Sequence, residues 1–303
     1  MVLKHVVSVS LGSSSRDHSV EVEVLGEPIR IERRGTDGDI RRAIEMIRQL
    51  DGKVDAMGMG GIDLYVSAGP RRYTLRAALP LAAAARLTPI VDGSGLKNTL
   101  ERRVVRYLDR NGPIPLQGKR VLMVSSVDRF GMAEALHEAG CSLVLGDLMF
   151  VLGLPLPIRS LSAVERVARL VVPVARLLPI SVLYPTGGKQ ERQQPRFPRY
   201  FEEADVIAGD FHFIRRYMPD HLSGKMILTN TVTASDTELL RSRGVSILVT
   251  TTPKLEGRSF GTNVMEAVLI AVAGKRPEQM TAEDYEHMLD RIGFQPRIEI
   301  LNG

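Results

Sequence analysis

A turn of small and polar residues follows a short apolar strand near the middle of the chain, in the segment Ser125-Ser126-Val127-Asp128-Arg129-Phe130-Gly131. A turn that leads from a strand into a helix directs free backbone N–H groups and the positive end of the helix dipole to one place, where phosphate binds well. The serines are small donors, and Arg129 offers a positive charge. The segment lacks the pattern G-x-G-x-x-G, so Gly131 alone is available for close packing.

An acidic residue, Asp147, lies at the end of the next predicted strand, about 20 residues after the turn begins. A carboxylate at this distance accepts hydrogen bonds from an adenosine ribose and favours NAD over NADP. We predict a cofactor site formed by Ser125, Ser126, Asp128, Arg129, Phe130, Gly131 and Asp147. Two alternatives stay open: Asp128 and Asp147 are only a helix cap and a turn residue, or the cofactor is S-adenosylmethionine.

Alternating strand and helix patterns position these residues. Period-two alternation predicts a strand at 6–10, and apolar residues at helical spacing predict a helix over 40–50. A later helix is predicted with Asn98 or Thr99 as its N-cap. From Gly118 the order strand, turn, helix, strand predicts a βαβ unit. The sequence therefore predicts an α/β fold with a parallel sheet covered on both faces.

Composition bounds the function class. The chain has 303 residues, of which 44% are hydrophobic, and this predicts two domains. The net charge of +5 comes from scattered basic residues with few aromatics, which predicts no nucleic-acid partner. The longest apolar stretches are interrupted by charges and prolines, which predicts no membrane span. The N-terminus lacks the pattern of a signal peptide, which predicts a cytoplasmic protein.

The order of features resembles the shikimate/quinate 5-dehydrogenase family, from about Asp92 to Pro277. Asn98 and Thr99 match an Asn-Thr-Asp of that family, and Leu100 departs from its catalytic aspartate.

A later segment, 260–267, resembles the glycine-to-helix segment in which the family places a substrate-binding Gln, and Asn263 takes a comparable position. The resemblance implies an N-terminal α/β substrate domain at 1–112 and a Rossmann-like doubly wound parallel sheet at 113–260. A C-terminal helical segment at 261–303 would pack back on the first domain. It also implies an NAD(P)-dependent oxidoreductase that acts on a cyclic polyhydroxy carboxylate such as quinate or shikimate. The runner-up is a non-catalytic nucleotide or metabolite sensor, and an S-adenosylmethionine-dependent transferase is a third hypothesis.

Alcohol oxidation needs a group that takes the hydroxyl proton, and a Lys paired with an Asp can do this. The predicted first domain contains Lys4 at the terminus, Lys53 in a polar turn and Lys97 in a glycine-rich loop near the domain boundary. We predict Lys97 as the general acid/base and Asp92 as its acidic partner. An exposed lysine beside a turn aspartate is the alternative.

A hydroxylated carboxylate substrate needs short polar side chains and a cation. The predicted substrate-binding residues are Ser13, Ser15, Arg16, Asp63, Asn98, Thr99, His212 and Asn263. Asp210 and His212 have no third ligand at a characteristic spacing, so we predict no metal site. The partner is therefore expected to be a small-molecule substrate, and a homodimer stays open.

Overall fold

The computed structural model describes residues 2–68, 71–178, 193–252, 254–255 and 258–303. The strands are β1 (Lys4–Ser10), β2 (His18–Val24), β3 (Glu27–Gly35), β4 (Ala56–Gly60), β5 (Tyr65–Ala68), β6 (Arg71–Thr74), β7 (Ile90–Val91), β8 (Arg120–Met123), β9 (Ser142–Leu145), β10 (Val206–Gly209), β11 (Met226–Thr229), β12 (Ile247–Thr250), β13 (Lys254–Leu255), β14 (Arg258–Ser259) and β15 (Arg297–Ile300). The helices are α1 (Ile40–Leu50), α2 (Leu79–Ala82), α3 (Ser94–Asn111), α4 (Phe130–Glu138), α5 (Leu161–Ala175), α6 (Pro198–Glu203), α7 (Phe211–Tyr217), α8 (Ala234–Ser242), α9 (Thr262–Ala273) and α10 (Ala282–Arg291).

The first domain is built on a five-stranded sheet in the order β2-β3-β1-β4-β7. Strand β2 runs antiparallel to β3, and the other neighbours are parallel. Alternate residues of β1 are buried on opposite faces. Val7 and Val9 belong to a core with Ile47 of α1, whereas Val6 belongs to a core with Val264 of α9. A helix from the far end of the chain therefore completes the core of the first sheet.

The second domain is built on a six-stranded sheet in the order β9-β8-β10-β11-β12-β15, in which only β15 is antiparallel. Val121 and Met123 of β8 face a core that includes α3 and α4, and Leu122 faces a core that includes α6 and α7. The predicted α/β fold with a doubly wound parallel sheet is confirmed. Because β9 and β10 lie on opposite sides of β8, the strand order reverses between β8 and β10, where such sheets form a ligand crevice.

Helix α3 begins earlier than the sequence indicates. We predict Asn98 or Thr99 as its N-cap, whereas the helix begins at Ser94. Gly93 before it has a φ of 96°, a left-handed conformation that favours glycine. Asp92 accepts a hydrogen bond from the Ser94 N–H at 3.0 Å. This carboxylate gives the first turn an acceptor, so the helix extends back to the glycine-rich loop.

A second carboxylate, Glu266 of α9, is buried near the start of α3. Its Oε1 accepts a hydrogen bond from the hydroxyl of Tyr285 in α10 at 2.8 Å. Burial raises the pKa of Glu266 to about 7, helped by the charge of Asp92 and opposed by the hydrogen bond from Tyr285. Three segments that are distant in sequence therefore meet at a carboxyl group that can hold a proton near neutral pH.

Protonation of Glu266 is expected to make stability depend on pH. The folded pKa of about 7 lies above the ordinary value of 4.5. The stability that the protonated carboxyl group contributes is therefore fully present below pH 4.5 and is lost as the pH rises through 7. The loss corresponds to about 3 kcal/mol of unfolding free energy. Urea titrations at pH 5 and pH 8 should show that the wild type loses about this much unfolding free energy between the two pH values, whereas Glu266→Gln does not. The exposed Glu283→Gln is the control, and equal pH dependence in both variants would contradict the prediction.

The C-terminal segment differs from the expected helical segment. Residues 262–273 and 282–291 are helical, but Arg297–Ile300 form β15 and pair with β12 of the second sheet. The alternation of charged and apolar residues in Arg297-Ile298-Glu299-Ile300 suits an edge strand better than a helix. Among the helices described here, none is long and apolar enough to cross a membrane.

Candidate functional site

The candidate site is a cluster of charged residues where the two sheets meet, which we call the interdomain cleft and define by Asp63, Lys97, Arg129, Asp210 and His212. Asp63 follows β4 of the first sheet, and Asp210 follows β10 of the second sheet. Both aspartates thus lie beyond the carboxyl ends of parallel strands. Lys97 belongs to α3, which connects the two sheets. The fold therefore brings charged residues from both domains to the point where the strand order of the second sheet reverses.

Lys97 forms an ion pair with Asp63 in the interdomain cleft. The Nζ to Oδ1 distance is 3.0 Å, and the side chains are 12% and 18% exposed. Burial by itself lowers the pKa of Lys97, but the charges of Asp63, Asp128 and Glu101 outweigh burial, so the pKa lies above its ordinary value. Lys97 is therefore an ammonium group that can donate hydrogen bonds to an oxygen with negative charge.

Glu101 lies one helical turn after Lys97 and binds the guanidinium of Arg129. Both members of this pair are buried, at 1% and 3% exposure. Burial raises the pKa of Glu101 to about 7, although Arg129 and Lys97 oppose the shift. Within the described residues, Glu101 Oε2 and Arg129 Nε have no hydrogen-bond partner. Buried polar atoms without partners are expected to meet a water molecule or a polar ligand.

Asp210 joins the second sheet to this charged group. Its Oδ2 accepts hydrogen bonds from Arg129 at 3.1 Å and from Asn230 Nδ2 at 2.9 Å, and its Oδ1 accepts the backbone N–H of His212 at 2.9 Å. Burial lowers the pKa of His212, Asp210 opposes this, and the positive charge of Arg16 adds to it. The charge of Arg16, in the 3-10 turn Ser14–Arg16 after β1, thus acts on His212.

Asp92, the expected partner of Lys97, has a different role. Its carboxylate accepts the backbone N–H groups of Leu64 at 2.6 Å and Tyr65 at 3.0 Å, in addition to that of Ser94. Asp92 thereby holds the loop that carries Asp63. The predicted pair is wrong, because the partner nearest to Lys97 in sequence is not the nearest in space.

The predicted substrate-binding residues of the first loop lie at the carboxyl end of β1. The Ser13 side chain caps the following 3-10 turn, and its hydroxyl lies 2.8 Å from that of Ser15. The Arg16 side chain forms no ion pair with any residue that the structure describes, so it is available to an anionic group.

Three further residues that were predicted to bind substrate are instead used in contacts within the protein. Asn98 lies on α3 against α4, so closely that a Cβ at Gly131 would be 1.9 Å from its Oδ1. Thr99 is buried. Asn263 donates a hydrogen bond to the hydroxyl of Ser8 at 2.8 Å. Leu100, at the family's aspartate position, is fully buried in the core. Of the residues predicted to bind substrate, Asp63, Arg16 and His212 thus lie at the cleft. The contacts described above engage the other three, Asn98, Thr99 and Asn263, away from it.

Asp147 folds back onto the predicted cofactor turn. Its Oδ1 accepts the backbone N–H groups of Ser126 at 2.9 Å and Val127 at 3.0 Å, and its Oδ2 accepts the hydroxyl of Ser126. The donors predicted for a pyrophosphate are thus used within the protein, and the carboxylate predicted for a ribose is used with them. Arg129 is likewise engaged by Glu101. These residues do not fit a dinucleotide in the arrangement that the sequence suggests.

The remaining members of the predicted cofactor set are buried by packing or lie beside Arg129. Phe130 belongs to the main core and is 7% exposed, and Ser125 is 3% exposed. Gly131 provides close packing, as predicted, but against α3. Asp128 lies 3.8 Å from Arg129 Nε and caps neither α4 nor the 3-10 turn before it.

Sequence reasoning missed Glu101, Asn230 and the part played by Asp210. The spacing of four between Lys97 and Glu101, which puts both on one helix face, is a signal that would have found the first. The position of Asp210 directly after β10 is a signal for its own role, because side chains at the carboxyl ends of parallel strands reach the ligand crevice. In the described residues, no three His, Cys, Asp or Glu side chains are grouped so that they could hold a metal ion.

Several solved structures have a fold that is weakly similar to that of this chain. A galactofuranose binding protein has 10% identity and a TM-score of 0.37, with 98% of this chain and 95% of that chain covered. The hetero-hexameric glutamate dehydrogenase from Thermus thermophilus has 13% identity and a TM-score of 0.40, with 96% and 73% covered. L-tryptophan dehydrogenase from Nostoc punctiforme has 10% identity and a TM-score of 0.36, with 96% and 79% covered. TM-scores this low support no conclusion about function.

No curated protein matches the chain. Two family models do match, and the gap between them lies at the start of α3. The model described as domain of unknown function DUF8753 matches residues 5–92. The model described as domain of unknown function DUF8754 matches residues 95–301, more than half of the chain. The chain therefore belongs to the DUF8754 family.

Proposed function

We propose that this protein is an enzyme that binds a small polyhydroxylated carboxylate, such as quinate or shikimate, in the interdomain cleft. The observation that carries the proposal is the ion pair of Lys97 and Asp63, 3.0 Å apart and largely buried between two domains. A buried ion pair is a poor way to gain stability, because desolvation offsets the attraction between the charges. Its placement at a crevice of parallel strands therefore favours a role in binding and chemistry.

The neighbouring charges suit such a substrate. The ammonium of Lys97 would donate to the oxygen that gains negative charge, an electrostatic role that needs a group that stays protonated. Glu101, with a pKa of about 7, has the acidity expected of a group that exchanges a proton at neutral pH. Arg16 would bind the substrate carboxylate, and Asp210 with Asn230 would bind hydroxyl groups.

The oxidoreductase hypothesis is the more specific form of this proposal. The strand order β9-β8-β10-β11-β12 supports it, because nicotinamide cofactors bind sheets that reverse at such a switch point. The contacts of Asp147 and Arg129 do not support it at the predicted turn. No hydride step is therefore assigned to these residues, and nicotinamide dependence is an outcome of the test.

The test is calorimetric titration with quinate and shikimate, followed by detection of products by mass spectrometry with and without NAD or NADP. We expect binding by the wild type and weaker binding by Asp63→Asn, because Lys97 loses the carboxylate that holds its ammonium group in place. The exposed Asp109→Asn is the matched control and should bind like the wild type. Binding without any product would instead favour the non-catalytic sensor, and absence of binding to both compounds would contradict the proposal.

A further inference from the structure

We infer that Asp147 closes the phosphate position of the Ser125–Gly131 turn, so that the second domain holds its ligand in the cleft without a dinucleotide at this turn. The inference goes beyond the proposed function, since it holds whichever molecule the cleft binds. It depends on how the carboxyl group is bound, how it is fixed in place and how the turn is covered.

The carboxyl group of Asp147 uses the donors that a phosphate would use. Two consecutive backbone N–H groups, of Ser126 and Val127, donate to one oxygen at 2.9 and 3.0 Å, and the Ser126 hydroxyl donates to the other. Successive backbone N–H groups at a turn are a known anion-binding arrangement. Here the chain supplies its own acidic group, and a phosphate would have to displace it.

The backbone around Asp147 holds it in that position. The N–H of Gly146 donates to the carbonyl of Met123 at the end of β8, at 2.8 Å. A Cβ at Gly146 would lie 2.5 Å from the ring of Phe150, so the π-helical turn Asp147–Val151 is closed tightly on this glycine. Phe150 is buried and contacts the rings of Phe201 and Tyr217, with centroids 5.6 and 5.3 Å away. Swinging Asp147 outward would disturb this packing.

The turn is also covered from the side of the first domain. Val127 packs against Ala168 and Val172 of α5, and Tyr73 of β6 packs against the same two residues. The backbone N–H of Arg76, just after β6, donates to the carbonyl of Arg176 at the end of α5 at 3.0 Å. Helix α5 is thus tied to the first domain across the turn. A pyrophosphate would need both the carboxyl group and this cover to move.

The test measures hydrogen exchange of the Ser126 and Val127 amides by NMR. We expect slow exchange in the wild type, unchanged by millimolar NAD or inorganic pyrophosphate. Asp147→Ala should speed exchange of these two amides by at least about tenfold, because each loses its acceptor. Asp147→Asn keeps an acceptor oxygen and should stay close to the wild type.

The matched control is Asp205→Ala. Asp205 accepts the backbone N–H of Arg120 at 2.8 Å, at the opposite end of the same strand β8. This variant should speed exchange at Arg120 and leave Ser126 and Val127 protected. Faster exchange at all three amides would show a general loss of stability and would overturn the assignment to Asp147.

Two other results would overturn the inference. One is NAD or pyrophosphate binding to the wild type with a change in protection of Ser126 and Val127. The other is unchanged exchange of these amides in Asp147→Ala. If that variant does not fold, Asp147→Asn and Ser126→Ala titrated with NAD still decide the question. Quinate binding by Asp147→Asn reports on the cleft separately, so failure of the proposed function is distinguishable from failure of this inference.

Discussion

Replacing Arg129 by Met is expected to lower the free energy of unfolding by about 3–5 kcal/mol, the usual cost of removing one member of a buried ion pair. Arg129 is 3% exposed and lies between Glu101 and Asp210. Methionine fills similar space but leaves both carboxylates without their shared positive charge. The side chain of Glu101 is almost completely buried, so water cannot replace the guanidinium without a rearrangement of the cleft.

Urea denaturation followed by circular dichroism at pH 7.5 would measure this loss. Arg102→Met is the matched control on α3, because Arg102 pairs with Glu134 where both side chains are partly exposed. Such a pair is expected to contribute less than about 1 kcal/mol. The double variant Arg129→Met with Glu101→Gln should recover part of the lost stability, since one unpaired carboxylate is removed. Equal stability of Arg129→Met and Arg102→Met would show that the buried pair is not important for the fold.

Replacing Lys97 by Met is expected to lower kcat/KM for quinate or shikimate by about 100-fold or more, within the range that one donor to a developing negative charge contributes. Methionine keeps the length of the side chain but has no ammonium group to stabilise negative charge on the substrate. The loss should appear mainly in kcat, because the interaction strengthens as charge develops. Urea denaturation of the same variant should be run beside the kinetics, because the pair with Asp63 is largely buried and its loss also lowers the free energy of unfolding.

Lys53→Met is the control, since Lys53 is an exposed lysine of the same domain. Steady-state kinetics of both variants across a pH range would separate an electrostatic role from simple positioning. In Asp63→Asn, Lys97 loses the charge that most strongly raises its pKa, so we expect the alkaline limb of the pH profile to move to lower pH. Kinetics of Lys97→Met equal to those of Lys53→Met would exclude Lys97 from the chemistry.

Much of the fold could be predicted because its signals are local. The helix Ile40–Leu50 and the βαβ unit formed by β8, α4 and β9 follow from hydrophobic periodicity. The start of α3 could not be predicted, because Asp92 and Glu266 meet there only after folding. The final strand β15 was missed for a similar reason, since its partner β12 lies 50 residues away in sequence.

The candidate site was predictable in its types of residue and less so in its pairs. Lys97 and Asp63 were both selected, but for separate roles, and the structure joins them. Asp147 was selected for its distance from the turn, and its contact with the turn is real. The direction of that contact differs from the expected one, because the carboxyl group faces the turn and not an outside ligand.

The sequence by itself determined an α/β protein with a parallel sheet covered on both faces and a lysine at the boundary of the domains. These features follow from periodicity and turn residues, which act over a few neighbouring positions. Only the tertiary structure decided that Lys97 meets Asp63 and that Asp147 occupies the turn. Both contacts depend on the packing of α3, α5 and the strand ends. Electrostatic pairing follows distance in space, and the chain reverses direction several times between the partners.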